Sequence, residues 1–470
     1  MSFNNSCKKF RIFVIRQAYG PPLLGRDFFT QFNLNISELN SISLNKVQYL
    51  INKFGTVFDD TLGTFNKGYI SIKLKSEKME PKFFRPRPLP FAMKEKVELE
   101  LNRLLKLGVI EPVNYSPWGT PIVPVLKKDN SIRICGDFKV TLNPNIEIDQ
   151  YPLPRINELF VKLQGGVQFS KLDLSSAYQQ ILLDKDSKKL TTISTHKGLF
   201  QYTRAPFGIA SIPAKFQKIM DSLLQGLDGV IVFLDDILIT GKDKSEHLIH
   251  LEQVLNILQN TGLKISKDKC SFFCDEICYL GFVINKFGLH PSENKIEAIA
   301  KAPIPQNTTQ LKAFLGLINY YGQFVSKLST ILSPLYELLK SETVWKWTDN
   351  CQESFNKIKS LLSSAPILVH YDSSLPVKLF TDASDYGVGG VISHVMSNGN
   401  ERPIAFASRT LSDSEKRMSQ IEKEGLAIIF CLSKFNQYLY GRKFTLLIDN
   451  KALTTIFIQQ NIYHNIQPID

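Results

Sequence analysis

Residues Gly229 to Thr240 read GVIVFLDDILIT: β-branched apolar residues run into two adjacent acids, Asp235 and Asp236, and then resume. Apolar runs this short, one on each side of a polar pair, fit two buried strands joined by a tight turn. The acids therefore belong at the apex of a hairpin whose arms lie in a core. Aspartate is common in solvated turns, so the pair alone carries no chemistry. Its surroundings must decide.

Those surroundings interleave strands and helices. KEKVELELNRLLKLGVIEP has Val97, Leu101, Leu104 and Leu105 on one helical face, with Gly108 placed to end it. Upstream, the proline-punctuated basic segment PKFFRPRPLPF must be extended, because each proline disfavours helix at the residue before it. TPIVPVLKKDNSIRICGDF predicts two short strands around a polar turn at Lys128 to Ser131. INELFVKLQGG predicts a helix, VQFSKLDL a strand ending at Asp173, and KSEHLIHLEQVLNILQNTG a helix with Leu248, Leu251, Val254, Leu255 and Leu258 in phase and Gly262 at its end. This interleaving predicts an α/β or α+β domain rather than a bundle. From about Pro303 the pattern is helical, with Asn307, Thr308 and Thr309 as cap candidates. Fresh strands follow a boundary near residue 365, with a long helix expected from about Ser412 to Tyr440.

At 470 residues and 43% hydrophobic content, the chain has room for two to four domains. No apolar run approaches the roughly 18 to 20 residues that span a bilayer, and MSFNNSCKKFRIFVIRQ lacks the apolar core and cleavage site of a secretory signal. Seven scattered cysteines suit a reducing, intracellular setting. Cys270, Cys274 and Cys278 have no second ligand pair at zinc spacing and read as buried thiols, while His247 and His250 open a helix with nothing near to complete a metal site. The net charge of +12 points toward polyanions, nucleic acid first.

Asp173 ends a strand and precedes SSAY, so its carboxylate can stand at a sheet rim beside the Asp235/Asp236 apex. Carboxylates within a few Å raise one another's pKa values unless a cation intervenes. Oxygen-only ligands select a hard ion, Mg²⁺ or Mn²⁺, and two such ions about 3.5 to 4 Å apart serve phosphoryl transfer.

Five stretches in order, PVLKKDNSIRICGDF, FSKLDLSSAYQQI, YTRAPFGIASIPAKFQ, VIVFLDDILI and YLGFVI, resemble the reverse transcriptase of Gypsy-type long-terminal-repeat retrotransposons. The resemblance implies an α+β, multi-domain right-hand polymerase fold with fingers, palm and thumb. It assigns Asp173, Asp235 and Asp236 to two metal ions, Lys127 and Arg133 to the incoming triphosphate, and Tyr178 to the gate beneath the sugar. Phe207 and Gly208 would line the nucleotide pocket, and Leu280 and Gly281 would hold the primer end. Two departures stand out: Phe233 replaces the family's tyrosine before Leu-Asp-Asp, and Lys139 replaces an arginine after Asp137 and Phe138, keeping the charge but losing the planar fork.

A second acidic set follows. Asp382 and Asp449 end strands, and Glu424 lies on or beside the apolar stripe of Met418, Ile421, Ile428 and Phe435, where a lone carboxylate is costly unless paired or metal-bound. LFTDASDYGVGGVI, RPIAFASRTLSDSEKRMSQIEKEGLAI and YGRKFTLLIDNKAL resemble the ribonuclease H-like α/β domain of the same elements, in which such acids hold two Mg²⁺ ions that cleave the RNA of an RNA:DNA hybrid. The family's fourth carboxylate has no match, since Asp470 is in the wrong context, so the domain is expected to be incomplete. GPPLLGRDFFTQFNLNI resembles the close of a retropepsin, without its catalytic Asp-Thr/Ser-Gly triplet. The expected organisation is a protease remnant over 1–35, a linker over 36–80, fingers and palm over 81–285, thumb and connection over 286–365, and a ribonuclease H-like domain over 366–470, in all a piece of a Pol polyprotein. Implied partners are an RNA template, a DNA or RNA primer, RNA:DNA hybrid and dNTPs, with no membrane; the implied location is cytoplasmic, in a virus-like particle, and nuclear. A non-enzymatic nucleic-acid-binding fragment is the alternative; an RNA-dependent RNA polymerase is disfavoured by the bulk of Tyr178.

Overall fold

The computed structural model describes residues 46–449 apart from Glu77, Lys128, Asp129, Ser341 and Glu342, together with Ser2–Phe3, Ser6–Cys7, Ala452–Leu453 and Ile466–Pro468. The retropepsin-like stretch and Asp470 lie outside the described residues, as does half of the polar turn before Ser131.

Helix α1 (Phe91–Lys106) begins right after the extended, proline-rich segment and ends at Leu107, with Gly108 at φ 62° taking the left-handed step. Strands β1 (Ile110–Val113), β2 (Thr120–Leu126) and β3 (Ile132–Gly136) follow, then α2 (Ile156–Val161) and β4 (Gln168–Asp173). With β5 (Ile193–Thr195) and β6 (Gly198–Tyr202) a five-stranded sheet forms in the order β1-β6-β5-β2-β3. Helix α3 (Ile212–Leu223) leads into β7 (Val230–Phe233) and β8 (Asp236–Gly241), and α4 (Lys244–Thr261) leads to β9 (Ser271–Cys274). These complete a four-stranded sheet, β7-β8-β4-β9.

This second sheet lies between two cores. Val230, Val232, Ile237 and Ile239 pack into one, with α4 residues Leu251, Val254 and Leu255. Phe169, Ile231 and Leu238 face the other, which continues into the downstream helices. A sheet buried on both faces reads as an unbroken apolar run rather than an alternating one. That is why GVIVFLDDILIT shows no polar face.

Strands β10 (Glu276–Tyr279), β11 (Phe282–Asn285) and β12 (Gly288–Pro291) form a three-stranded antiparallel sheet, so the boundary expected at residue 285 falls inside a structural unit. Next come α5 (Thr308–Tyr320), α6 (Leu328–Glu337) and α7 (Asp349–Ser363); Asn307 caps α5 by accepting Gln310 N–H at 2.9 Å. The last sheet contains β13 (Val377–Ala383), β14 (Gly387–Val395), β15 (Glu401–Thr410) and β16 (Thr445–Ile448), in the order β15-β14-β13-β16, with Ile466–Pro468 beside β16.

The long helix expected from Ser412 to Tyr440 is instead α8 (Gln420–Lys434). Glu415 is held by both arms of Arg409 at 2.8 and 2.9 Å, which fixes a separate turn, and Ser419 with Glu422 forms a capping box that starts the helix afresh. Met418 therefore precedes the helix and is exposed, outside the stripe assigned to it. Cys278 is likewise exposed rather than buried.

Candidate active site

The β7–β8 hairpin closes tightly: Phe233 pairs with Asp236, leaving only Leu234 and Asp235 in the turn. Leu234 takes φ 56°, a left-handed conformation that glycine or asparagine adopts readily and a branched side chain does not. A buried amide stabilises it: Gln217 on α3 accepts Leu234 N–H at 2.7 Å and donates to the Val232 carbonyl at 3.1 Å. Sequence reasoning passed over Gln217, whose only signal is a polar residue on the buried face of an amphipathic helix.

On the other side of β8, the register with β4 sets Asp236 directly opposite Asp173, and Leu174 N–H donates to the Asp235 carbonyl at 3.1 Å. All three acids thus share one sheet rim, Asp235 exposed at the apex and Asp236 and Asp173 half-buried. Burial pushes the Asp236 carboxyl above its ordinary range; Lys171 opposes that shift, and Asp235 and Asp173 add to it. Lys171 Nζ lies 2.9 Å from Asp236 Oδ2, and Lys269 Nζ lies 3.2 Å from Asp173 Oδ1. Lys171 was legible in KLD, since residues two apart on a strand share a face; Lys269 comes from a remote turn and was not.

The donor set suits hard divalent cations, and the mutual repulsion at Asp236 is what such a cation relieves. As they stand, however, no three His, Cys, Asp or Glu side chains among the described residues converge to hold an ion. Lys171 and Lys269 are ion-paired with two of the three carboxylates.

Three residues assigned to the nucleotide meet beside the acids. The Tyr178 and Phe207 ring centroids are 5.3 Å apart, and the Arg133 guanidinium lies 4.7 Å from the Phe207 centroid. Burial, then the Asp235 charge, pushes the Tyr178 hydroxyl up to about 12, so it stays neutral. Gly208, at φ 95°, follows in the turn; Asn143 clamps it by donating to the Gly208 carbonyl and accepting Ala210 N–H, both at 2.9 Å. Lys127 sits exposed at the tip of the β2–β3 hairpin, its N–H donating to the Ser131 carbonyl at 2.8 Å. Phe138 is buried, Asp137 is ion-paired with Arg87 at 2.5 Å, and Lys139 is exposed. Phe233 packs partly buried against the second core.

Leu280 and Gly281 form the two-residue turn between β10 and β11, at φ 49° and 79°. Tyr320 and Tyr321 donate to their carbonyls at 2.6 and 3.1 Å.

The second acidic set lies at the far sheet. β13 and β16 are parallel, with Phe380 opposite Leu447, and Asp382 and Asp449 each lie two residues further on. Both line one cavity of about 470 Å³. Glu424 does not line it; Gln420 ties it to the same strand end by donating to the Ala383 carbonyl at 3.1 Å and to Glu424 Oε1 at 3.2 Å. Among the described residues, Glu424 Oε2 is buried without a hydrogen-bond partner. That orphaned oxygen and the two strand-end carboxylates suit a hard cation, although Lys327 Nζ, 2.5 Å from Asp382 Oδ2, now neutralises that acid.

Comparison with known proteins agrees with this architecture. Residues 125–284 match the family model described as reverse transcriptase (RNA-dependent DNA polymerase), and residues 347–446 match the RNase H-like domain found in reverse transcriptase. The Transposon Tf2-3 and Tf2-7 polyproteins of Schizosaccharomyces pombe are each 35% identical over 373 residues, covering 78% of this chain and 28% of theirs. The chain thus matches under a third of the length of those relatives. Among solved structures, a foamy viral protease-reverse transcriptase in complex with dsDNA superposes with a TM-score of 0.80 at 24% identity, covering 96% of this chain and 98% of that one. The same viral protein in complex with an RNA/DNA hybrid gives 0.75 at 24% identity, covering 96% and 64%. The chain thus carries a reverse transcriptase domain followed by an RNase H-like domain, and resembles Gypsy-type retrotransposon polyproteins over 373 residues.

Proposed function

We propose that the chain is an RNA-directed DNA polymerase that adds dNTPs to the 3′-hydroxyl of a primer. The observation that carries this reading is the β4–β8 register, which sets Asp173 against Asp236 with Asp235 one residue away. Two Mg²⁺ or Mn²⁺ ions at these carboxylates would activate the attacking hydroxyl and stabilise the leaving pyrophosphate. The chain's own residues do the rest. Lys127 and Arg133 present positive donors to the triphosphate, where negative charge redistributes during transfer. Tyr178, backed by Phe207 and by Phe216 at 5.1 Å, forms a wall against which a ribose 2′-hydroxyl collides. The rigid turn at Leu280 and Gly281 holds the primer end. Template, primer and hybrid are the partners proposed, by analogy with the nucleic acids bound to the foamy viral relatives. Among the described residues no helix is long and apolar enough to cross a membrane, and an intracellular setting is proposed from the unpaired cysteines.

A second activity, ribonuclease H cleavage of RNA in a hybrid, is favoured by the buried Glu424 Oε2, unpartnered among the described residues, beside the Asp382 strand end. The two activities separate cleanly in one test. Asp173→Asn is expected to abolish primer extension on an RNA template and leave hybrid cleavage intact; Asp382→Asn is expected to do the reverse. Extension unaffected by Asp173→Asn contradicts the polymerase site, and nucleic-acid binding with neither activity in the wild type supports a non-enzymatic fragment.

A further inference from the structure

Gln217 stabilises the catalytic turn only if its amide points one way, with Oε1 toward Leu234 N–H. A glutamine amide can flip, and its orientation is set by the groups around it. Here Asp221, one helical turn along α3, joins the Val232 carbonyl in accepting from Gln217 Nε2, with its Oδ1 at 2.9 Å. A carboxylate accepts and does not donate, so it commits the NH₂ to its own side and turns Oε1 toward the hairpin. Asp221 is fixed in turn: Tyr151 donates to its Oδ2 at 2.7 Å. That hydrogen bond, then burial, pushes the Tyr151 hydroxyl up to about 12, so it remains a donor at all working pH values. Tyr151 belongs to a segment stapled to the same helix a second time, through Lys215 to Asp149 at 3.2 Å.

We propose that Tyr151 and Asp221 are positioning residues for the polymerase acids, acting through Gln217 on the left-handed residue Leu234. This rests on the polymerase reading for its kinetic effect but not for its structural one. The relay runs from a hydroxyl outside the sheet to the backbone of the residue before Asp235, and every link is within hydrogen-bond distance. Asp221→Asn puts an amide that can donate as well as accept beside Gln217, and leaves the Val232 carbonyl as the acceptor that still holds the orientation. The acceptor that offsets the strained Leu234 backbone is then held less firmly.

The test pairs hydrogen exchange with kinetics. In the full chain, Asp221→Asn and Tyr151→Phe are expected to speed amide exchange in the hairpin peptide spanning 229–241 by about tenfold, with exchange elsewhere unchanged. In single-nucleotide incorporation they are expected to lower kcat about three- to tenfold and raise the Mg²⁺ concentration for half-maximal rate, with KM for the dNTP unchanged. Ser222→Ala, on the same helix but off the relay, is the control and should match the wild type. Hairpin exchange equal to wild type in both variants overturns the proposal, as does exchange accelerated throughout the chain. A wild type that fails to extend primers counts against the polymerase reading alone, because the exchange experiment still decides whether the relay fixes the turn.

Discussion

His247 is buried with both ring nitrogens unpartnered among the described residues, its ring edge-on to Phe273. Burial, with smaller contributions from His250 and Lys46, lowers its pKa to about 4 from 6.5. Because the folded value lies below the unfolded one, stability is fully present above about pH 6.5 and is lost as pH falls toward 4. The loss amounts to about 3 kcal/mol at the acid end. Urea unfolding from pH 7 to 4 should show that slope in the wild type and a shallower one in His247→Leu; parallel slopes would refute it. At the candidate active site, Lys171→Ala removes the cation that pulls the Asp236 carboxyl down, so carboxyl-carbon NMR of the metal-free protein should place the Asp236 pKa higher than in the wild type. Tyr178→Ala should raise ribonucleotide incorporation by roughly tenfold or more, the size expected when a steric exclusion is relieved; unchanged discrimination would remove it from the gate.

Tight turns carry most of the candidate site, and three of them are held from outside. Gln217 fixes the turn at Leu234, Asn143 the turn at Gly208, and Tyr320 and Tyr321 the turn at Leu280 and Gly281. A Cβ on Gly281 would stand 2.8 Å from the Tyr321 hydroxyl oxygen, on a backbone at φ 79°. Gly281→Ala should therefore destabilise the chain by about 1 to 2 kcal/mol and weaken primer use; a melting temperature equal to wild type would contradict this. The hairpins themselves were legible, because apolar runs and punctuation specify strands locally. Their clamps were not, since Gln217 and Asn143 act across distances in sequence that no periodicity encodes. The expected Ser412–Tyr440 helix failed for the same reason: Arg409, back on β15, holds Glu415 and interrupts it.

Across the whole molecule, the two acidic centres are each met by lysines from elsewhere in the chain: Lys171 and Lys269 at the first, Lys327 at the second. Both sets of acids could be named from strand ends and family motifs. Their lysine partners at positions 269 and 327 could not, because the pairing depends on how separate segments pack. With a net charge of +12, primer-template affinity should fall by about 10³ between roughly 50 and 200 mM salt if about six phosphates are neutralised, and a flat salt response would argue against backbone binding. The most direct test is single-nucleotide extension of a primer on an RNA template with Mg²⁺, comparing the wild type with Asp235→Asn. The geometry predicts extension by the wild type and a loss of at least about 10³-fold, some 4 kcal/mol of transition-state stabilisation, in the variant; equal extension by both would contradict it.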